Sequence, residues 1–323
     1  MVRRGGHCIA RFQERVLNVC AVVVTWRPDL VLLDAVLAAL HPQVAALLVI
    51  DNASPESGAI GALVARHGGR FHALRRNAGL ARAQNLGARW AWARGMHAVL
   101  LMDQDSVAAP DMVALLSAPH ERACAQTPEQ LSRLPATGQP LVCTAPVPVD
   151  ARTGTPMRLI HAAGHAQAVD GLQSCAFVIA SGMLIPKAAW RRVGPMCAAL
   201  FIDHVDTEWS LRARAEGGAL AVVTSARLFH QLGTAGRHIW LGRWRYFPHH
   251  SPLRHYYMVR NSLALRTLAH VTPAMANWLA WRAAILVFVS LIVLPERRRR
   301  WRAVRAAIAD ARAGRLGAAV ERW

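Results

Sequence analysis

Three unbroken apolar runs punctuate the first hundred residues: "VLNVCAVVVTW" from Val16, "VAALLVIDNAS" from Val44 and "HAVLLMDQDS" from His97. Each is rich in β-branched or aliphatic residues and shows no polar alternation, the pattern of a strand covered on both faces. The stretches between them carry helical spacing. "RPDLVLLDAVLAAL" follows the first run, a short helix fits residues 57–67, and a further strand falls near "RFHALRR". "NAGLARAQNLGARWAWARG" reads as a loop and a helix closed by Gly95. Strand–helix alternation of this kind predicts an α/β fold, an open, mainly parallel sheet flanked by helices and joined by right-handed crossovers. Ligands of such sheets sit beyond the carboxyl ends of the strands. Thr25, Asp51, the pair Arg76/Asn77 and the pair Asp103/Asp105 are therefore expected to converge.

The residue types at these ends suggest a chemistry. Acidic residues after a strand commonly begin a turn, but two carboxylates one residue apart, Asp103 and Asp105, can also share a hard divalent cation with a diphosphate. Such a cation neutralises charge that develops on a leaving phosphate. Asp51 is placed to accept hydrogen bonds from a base or ribose. A second acidic group lies in "LFIDHVDTEWSLRAR", residues 200–214. Helical spacing puts Asp203, Asp206 and Thr207 on one face and sets Glu208 four residues before Arg212. Carboxylates among residues as apolar as Phe201, Ile202, Val205, Trp209 and Leu211 acquire raised pKa values and can serve as general bases.

Charge narrows the partners. Thirty-eight Lys and Arg against nineteen Asp and Glu give a formal charge of +19, which favours nucleotide phosphates, nucleic acid or an anionic membrane. Nucleic acid is not expected, since helix-turn-helix, zinc-finger and aromatic RNA-binding signatures are all missing. A nucleotidyltransferase would want a Gly-rich basic loop after the first strand, where this chain has "VVVTWRPDL". Six cysteines without a C-x-x-C spacing suit reduced cytoplasmic thiols. Residues 1–15 read as an extension with no apolar secretory core. In the middle of the chain, 118–140 reads as a helix end and loop, "LVCTAPVPVD" as a strand, and "SCAFVIASGMLIPKAAWRRVG" as strand, turn at Ser181-Gly182, strand and helix. Near the C-terminus, the apolar stretch Ala283–Leu294 is twelve residues long, short of the roughly twenty a spanning helix needs. An interfacial helix is expected instead, with Trp278 and Trp281 at headgroup level and Arg297–Arg300, Arg302 and Arg305 facing an anionic leaflet.

The segments "VVVTWRPD", "LLVIDNAS", "NAGLARAQNLGARWAWARG", "LLMDQDS", "IASGMLI", "LFIDHVDTEWSLRARAEGG", "HQLG" and "HHSPLRHYYMVRN" occur in this order over roughly residues 18–265. Together they resemble the bacterial family 2 glycosyltransferases of GT-A fold, of the rhamnosyltransferase type. The resemblance implies a GT-A domain over 16–265 and a basic, apolar helical region over 266–323 that associates with a membrane. It implies inverting transfer of L-rhamnose from dTDP-L-rhamnose to a hydroxyl of a lipid-linked surface polysaccharide, by a cytoplasmic enzyme peripheral on the inner face of the cell membrane. The alternative is a relative using another nucleotide sugar. Carried onto this sequence, Thr25, Asp51 and Asn77 would line the nucleotide site, and Asp103 would hold the sugar diphosphate. Asp105 and His230 would bind Mg²⁺ or Mn²⁺, and Asp206 would be the catalytic base. Trp209 would line the acceptor site, and Arg254, Tyr257, Arg260 and Asn261 would clamp phosphates. Many relatives carry Glu-Asp at the base position, where this chain has Val205-Asp206.

Overall fold

The computed structural model describes residues 17–126, 130–157, 168–230, 236–240 and 244–320. The expected extension over 1–15 and the last three residues of the "HQLG" motif lie outside them.

The first half of the chain follows the expected alternation. It runs β1 (Val19–Thr25), α1 (Leu30–Leu40), β2 (Ala46–Asp51), α2 (Ser57–Arg66), β3 (Arg70–Ala73), α3 (Leu80–Ala93) and β4 (Ala98–Asp103). Asp29 caps α1 by accepting from the amides of Val31 and Leu32, the usual role of an acidic residue ahead of a helix. β2, β1 and β4 pair in parallel with Thr25 opposite Asp51 and Val24 opposite Asp103. Three sequence-distant positions thus end on one edge of the sheet. Adjacent strands lie ~4.8 Å apart, so Asp51 and Asp103, on either side of β1, are about 10 Å apart across the edge.

The second half is mixed rather than parallel. It comprises β5 (Ser106–Ala108), α4 (Met112–Gln126), β6 (Leu141–Asp150), β7 (Leu172–Ser174), β8 (Met183–Pro186), α5 (Lys187–Val193), α6 (Val205–Ala215) and β9 (Ala219–His230). The sheet order is β3-β2-β1-β4-β8-β6-β9-β5, with β7 also on β9. β8 lies antiparallel between β4 and β6, and β5 turns back antiparallel onto β9. β6 and β9 pair in parallel again, so the antiparallel pairings are those made by β8, β5 and β7. The strand expected over the start of "SCAFVIAS" is also displaced: β7 ends at Ser174 and the chain runs irregularly to the Ser181-Gly182 turn. Gly182 has φ +83°, and a Cβ there would stand 2.6 Å from the Pro146 ring. Only glycine allows that turn to lie against β6.

Burial accounts for the lack of alternation in β1. Val19, Ala21 and Val23 join one apolar cluster with α1, α2 and α4, while Cys20, Val22 and Val24 join another with α3, α5 and α6. The sheet is covered on both faces. A hairpin, β10 (Gly236–Trp240) with β11 (Trp244–Pro248), precedes three helices: α7 (Pro252–Ala264), α8 (Pro273–Val293) and α9 (Arg297–Arg312). These three pack into a further cluster that includes Phe201 and Ile202 ahead of α6. The boundary expected at 265 falls between two helices that share this cluster.

Close packing of α3 on β1 depends on Gly87, where a Cβ would stand 2.2 Å from Val22 Cγ1. Gly87→Ala should therefore lower stability by about 1–3 kcal/mol through overpacking. Gly58→Ala in α2, where nothing lies within 4 Å, should raise it by about 0.4–1 kcal/mol. Urea unfolding midpoints of the two variants are expected to move in opposite directions.

Candidate active site

The edge where β1, β2 and β4 end is built by side chains that order its loops. Asp51 is fully buried. Its Oδ1 accepts from the Thr25 hydroxyl at 2.9 Å and the Ser54 hydroxyl at 2.6 Å, and its Oδ2 accepts from the Ser54 amide at 2.8 Å. The Arg27 amide donates to Ser54 Oγ. Asn52 Oδ1 accepts from the Ala78 amide, and Asn77 Oδ1 accepts from the Gly79 amide in the turn leading into α3. Thr25, Asp51 and Asn77 thus lie where the sequence placed them, but their polar atoms hold the loops together. Gln104, the middle residue of the D-x-D, ties the two motifs to each other. Its Oε1 accepts from the Trp26 amide at 2.7 Å and its Nε2 donates to the Trp26 carbonyl. The Trp26 side chain is exposed beside this clamp.

Beyond β4, the chain turns at once into β5, whose Ser106 pairs with His230 at the end of β9. Ser106 Oγ and His230 Nδ1 are hydrogen-bonded at 2.7 Å. That pairing gathers ligand atoms of Asp103, Asp105 and His230 within 4.8 Å of one another. Two carboxylates and an imidazole form a donor set that suits Mn²⁺ or Mg²⁺. The electrostatics agree: burial, then the neighbouring charges of Asp105 and Asp206, push the Asp103 carboxyl up to about 7, against the opposing pull of Arg254. A divalent cation would relieve that repulsion.

Asp206, whose charge acts on Asp103, lies in the first turn of α6. Its Oδ1 accepts from the Thr207 amide at 2.7 Å and the Thr207 hydroxyl at 3.3 Å. Its Oδ2 accepts from the Ala180 amide at 3.0 Å. The next residue, Ser181, accepts at Oγ from the Asp103 amide. Two consecutive residues ahead of Gly182 therefore tie both acidic groups in place. Burial raises the Asp206 carboxyl above its ordinary range, although both backbone amides and His204 pull it down.

Asp203 is not on α6 as its spacing suggested, because the helix begins at Val205. Phe201, Asp203 and His204 all have positive φ, at 67°, 62° and 61°, a backbone that costs non-glycine residues about 1–3 kcal/mol each. Three consecutive residues of α7 hold this loop. Arg260 Nη2 donates to the Leu200 carbonyl, and Asn261 Nδ2 donates to the carbonyls of Leu200, Ile202 and Asp203 at 2.7–2.9 Å. Ser262 Oγ is hydrogen-bonded to His204 Nε2. Arg254, earlier on α7, pairs with Asp203 Oδ1 at 2.9 Å. Asp203, Asp103 and Asp206 all help to hold its guanidinium charged. Asp203 Oδ2 is buried with no partner among the described residues.

Several expected site residues face elsewhere. Trp209 is fully buried and its indole donates to the Gly194 carbonyl; it is a core residue and lines no acceptor site. Arg260 is 1% exposed, stacks over Tyr257 and donates to the Gly317 and Leu200 carbonyls, so it clamps backbone rather than phosphate. Asn261 does the same, and the Tyr257 hydroxyl accepts from the Ala319 amide. Glu208 and Arg212 form the expected pair. Ala180 and Ser181, which connect the two acidic groups, had no signal beyond the "IASGMLI" turn.

No family model matches the chain. The dTDP-rhamnosyl transferase RfbF of Shigella flexneri is 29% identical over 258 residues, which are 79% of this chain and 81% of that protein. Two crystal structures of residues 1–349 of S. aureus TarS, one in complex with UDP-GlcNAc, each superpose with a TM-score of 0.50. They are 12% and 13% identical and cover 91% of this chain and 81% of theirs. The fold is that of the GT-A glycosyltransferases, and the chain is an enzyme of the glycosyltransferase class.

The amide of Asn261 is the donor for three carbonyls of a strained loop. Asn261→Ala should cost about 1–3 kcal/mol, and Asn261→Asp, which sets an oxygen against those carbonyls, at least as much. Urea unfolding of both variants reads the loss.

Proposed function

We propose that this glycosyltransferase moves L-rhamnose from dTDP-L-rhamnose, with inversion, to a hydroxyl of a lipid-linked surface-polysaccharide acceptor, working on the cytoplasmic face of the membrane. The observation that carries this reading is the linkage of two acidic groups through Ala180 and Ser181, one suited to a cation-bound diphosphate and the other to proton removal. The relation to RfbF supports the choice of donor.

In this mechanism the nucleoside lies along the loops ordered by Thr25, Asp51 and Asn77, beside the exposed Trp26. Asp103, Asp105 and His230 would hold Mg²⁺ or Mn²⁺, which when bound offsets the negative charge of the diphosphate. Arg254 adds a fixed positive charge on the α7 side. Asp206 faces the acceptor. Its Oδ1 is occupied by two donors and its Oδ2 by one, which leaves a lone pair on Oδ2 for the acceptor proton. As that proton moves to Asp206, the acceptor oxygen forms its bond to the anomeric carbon from the side opposite the diphosphate. The bond to the phosphate oxygen breaks, and dTDP departs with the electron pair. Burial strengthens Asp206 as a base, because a raised pKa means greater proton affinity.

A panel of nucleotide sugars with product analysis by mass spectrometry tests the donor. dTDP-L-rhamnose should give the transfer product, and preference for another nucleotide sugar would overturn that choice. Asp206→Asn should lower transfer by about 10²–10⁴-fold while dTDP still shifts the melting temperature; retained transfer would remove Asp206 as the base. The base must be deprotonated to act, so the rate should fall as pH drops through its pKa. Since that pKa lies above the ordinary 3.8, the acid limb of the rate profile should lie above the range of an exposed aspartate. Asp105→Ala should weaken Mn²⁺-dependent dTDP binding by tenfold or more in titration calorimetry, and an unchanged affinity would take Asp105 out of the metal site.

A further inference from the structure

α8 is twenty-one residues long, and by length and composition it could cross a membrane. The twelve-residue apolar stretch underestimates it, because Arg282 does not interrupt the helix; its guanidinium lies over the Trp278 ring, 4.7 Å from the centroid. The two faces of α8 differ. Ala276, Leu279, Ala283, Val287 and Ser290 are buried against the rest of the protein. Ser290 Oγ is hydrogen-bonded to His255 of α7, and Trp278 stacks at a tilt on Phe177 with centroids 6.1 Å apart. The opposite face carries Trp281, Ile285, Phe288 and Ile292, all exposed, with Trp281 at 66% and Phe288 at 65%. At 100° per residue these four fall within about 60° of one another, in a single stripe.

The stripe ends at a basic corner. Arg297 donates to the Ile292 carbonyl at 2.6 Å, and Arg298, Arg299 and Arg302 are exposed on the first turns of α9 beside the exposed Trp301. Arg297, Arg298, Arg299 and Arg302 line an open hollow of about 930 Å³ at the α8–α9 turn. Arg300 alone of this run points inward. It is fully buried, bonded to the Pro295 and His250 carbonyls and to the imidazoles of His249 and His255.

We propose that the outer stripe of α8 and the arginine corner are a docking surface for an anionic lipid bilayer, on which α8 lies in the plane of the membrane without crossing it. The inference deepens the reading of a lipid-linked acceptor, on which it rests for its purpose. Charge selects the partner: an apolar stripe bordered by four exposed arginines matches acyl chains below anionic headgroups. A spanning α8 would have to leave Phe177 and His255, and would pull the fixed Arg300 cluster toward hydrocarbon. The depth of insertion is instead set by one face of one helix. α7 lies on the inner side of α8 and holds the loop that carries Asp203 and leads to Asp206, so docking fixes the catalytic cleft relative to the lipid surface.

Co-sedimentation of the full chain tests this with vesicles of phosphatidylcholine alone and of phosphatidylcholine mixed with phosphatidylglycerol. The protein should bind the anionic vesicles and be released by salt. The double variant Trp281→Ser/Phe288→Ser and the double variant Arg298→Gln/Arg302→Gln should each bind about tenfold more weakly, with circular dichroism and dTDP binding unchanged. Unaltered binding of both variants overturns the proposal. Resistance to alkaline extraction with protease-accessible sites on both sides of the vesicle also overturns it, in favour of a span. So does a stripe variant that only turns a dimer into a monomer. Donor hydrolysis by the unsubstituted chain, measured without vesicles, separates the two readings: hydrolysis of dTDP-L-rhamnose by a chain that does not bind anionic vesicles overturns the surface alone, and vesicle binding without hydrolysis overturns the transferase reading alone.

Discussion

Like charges crowd together at the edge of the sheet, and most of the surrounding structure offsets their repulsion. Asp103 is raised to about 7 by burial and by Asp105 and Asp206, and Asp206 is raised by burial. Carboxylates in such surroundings stay in place only if the backbone is fixed and some positive charge is near. Both conditions are met. Parallel pairing of β2, β1 and β4 fixes the strand ends, antiparallel return of β5 onto β9 brings in His230, and the Ala180-Ser181 segment links the two acidic groups. Arg254 supplies the charge, itself anchored by Asp203.

The same contacts join the C-terminal helices to the candidate site. Arg260 and Asn261 of α7 hold the strained backbone around Asp203, and α7 is in turn held by the end of the chain. Tyr256 donates to Asp310 at 2.6 Å, Arg260 donates to the Gly317 carbonyl, and the Gly317 amide donates to the Ala199 carbonyl. Removal of residues 295–323 would therefore take away Arg300, Asp310 and Gly317 together with Val304, and uncover Tyr256, Tyr257 and Val259. Such a truncation would disturb the candidate active site along with any membrane contact. Substitutions confined to the outer face of α8 are the cleaner probe of attachment.

The parts of this arrangement that rest on local pattern were legible in the sequence. Apolar runs without alternation gave β1, β2 and β4, their last residues gave Thr25, Asp51 and Asp103, and Asp105 follows in the next turn. Asp206 stood out as an acidic residue in apolar surroundings, and the structure buries it and raises its carboxyl; its role as base is part of the proposed function. What depends on backbone carbonyls was not legible, since a sequence does not reveal which carbonyls lack donors; Asn261 and Arg260 were therefore read as phosphate ligands. Trp209 was assigned to the acceptor site by family resemblance, yet its place on α6 turns it into the core, where its indole donates to the Gly194 carbonyl. Asp203 was placed on a helix whose start is delayed by left-handed residues at 203 and 204. The length of α8 was misjudged because a charged residue was counted as a break, although its long side chain lies along an aromatic ring.

The most direct measurement is a crystal structure with dTDP and Mn²⁺, with the metal located by its anomalous scattering. A single Mn²⁺ should lie between Asp103, Asp105 and His230, in contact with the diphosphate, with Asp206 Oδ2 facing the open space beside it. A Mn²⁺ or nucleotide bound elsewhere, with Asp206 turned away from that space, would contradict the shared cleft.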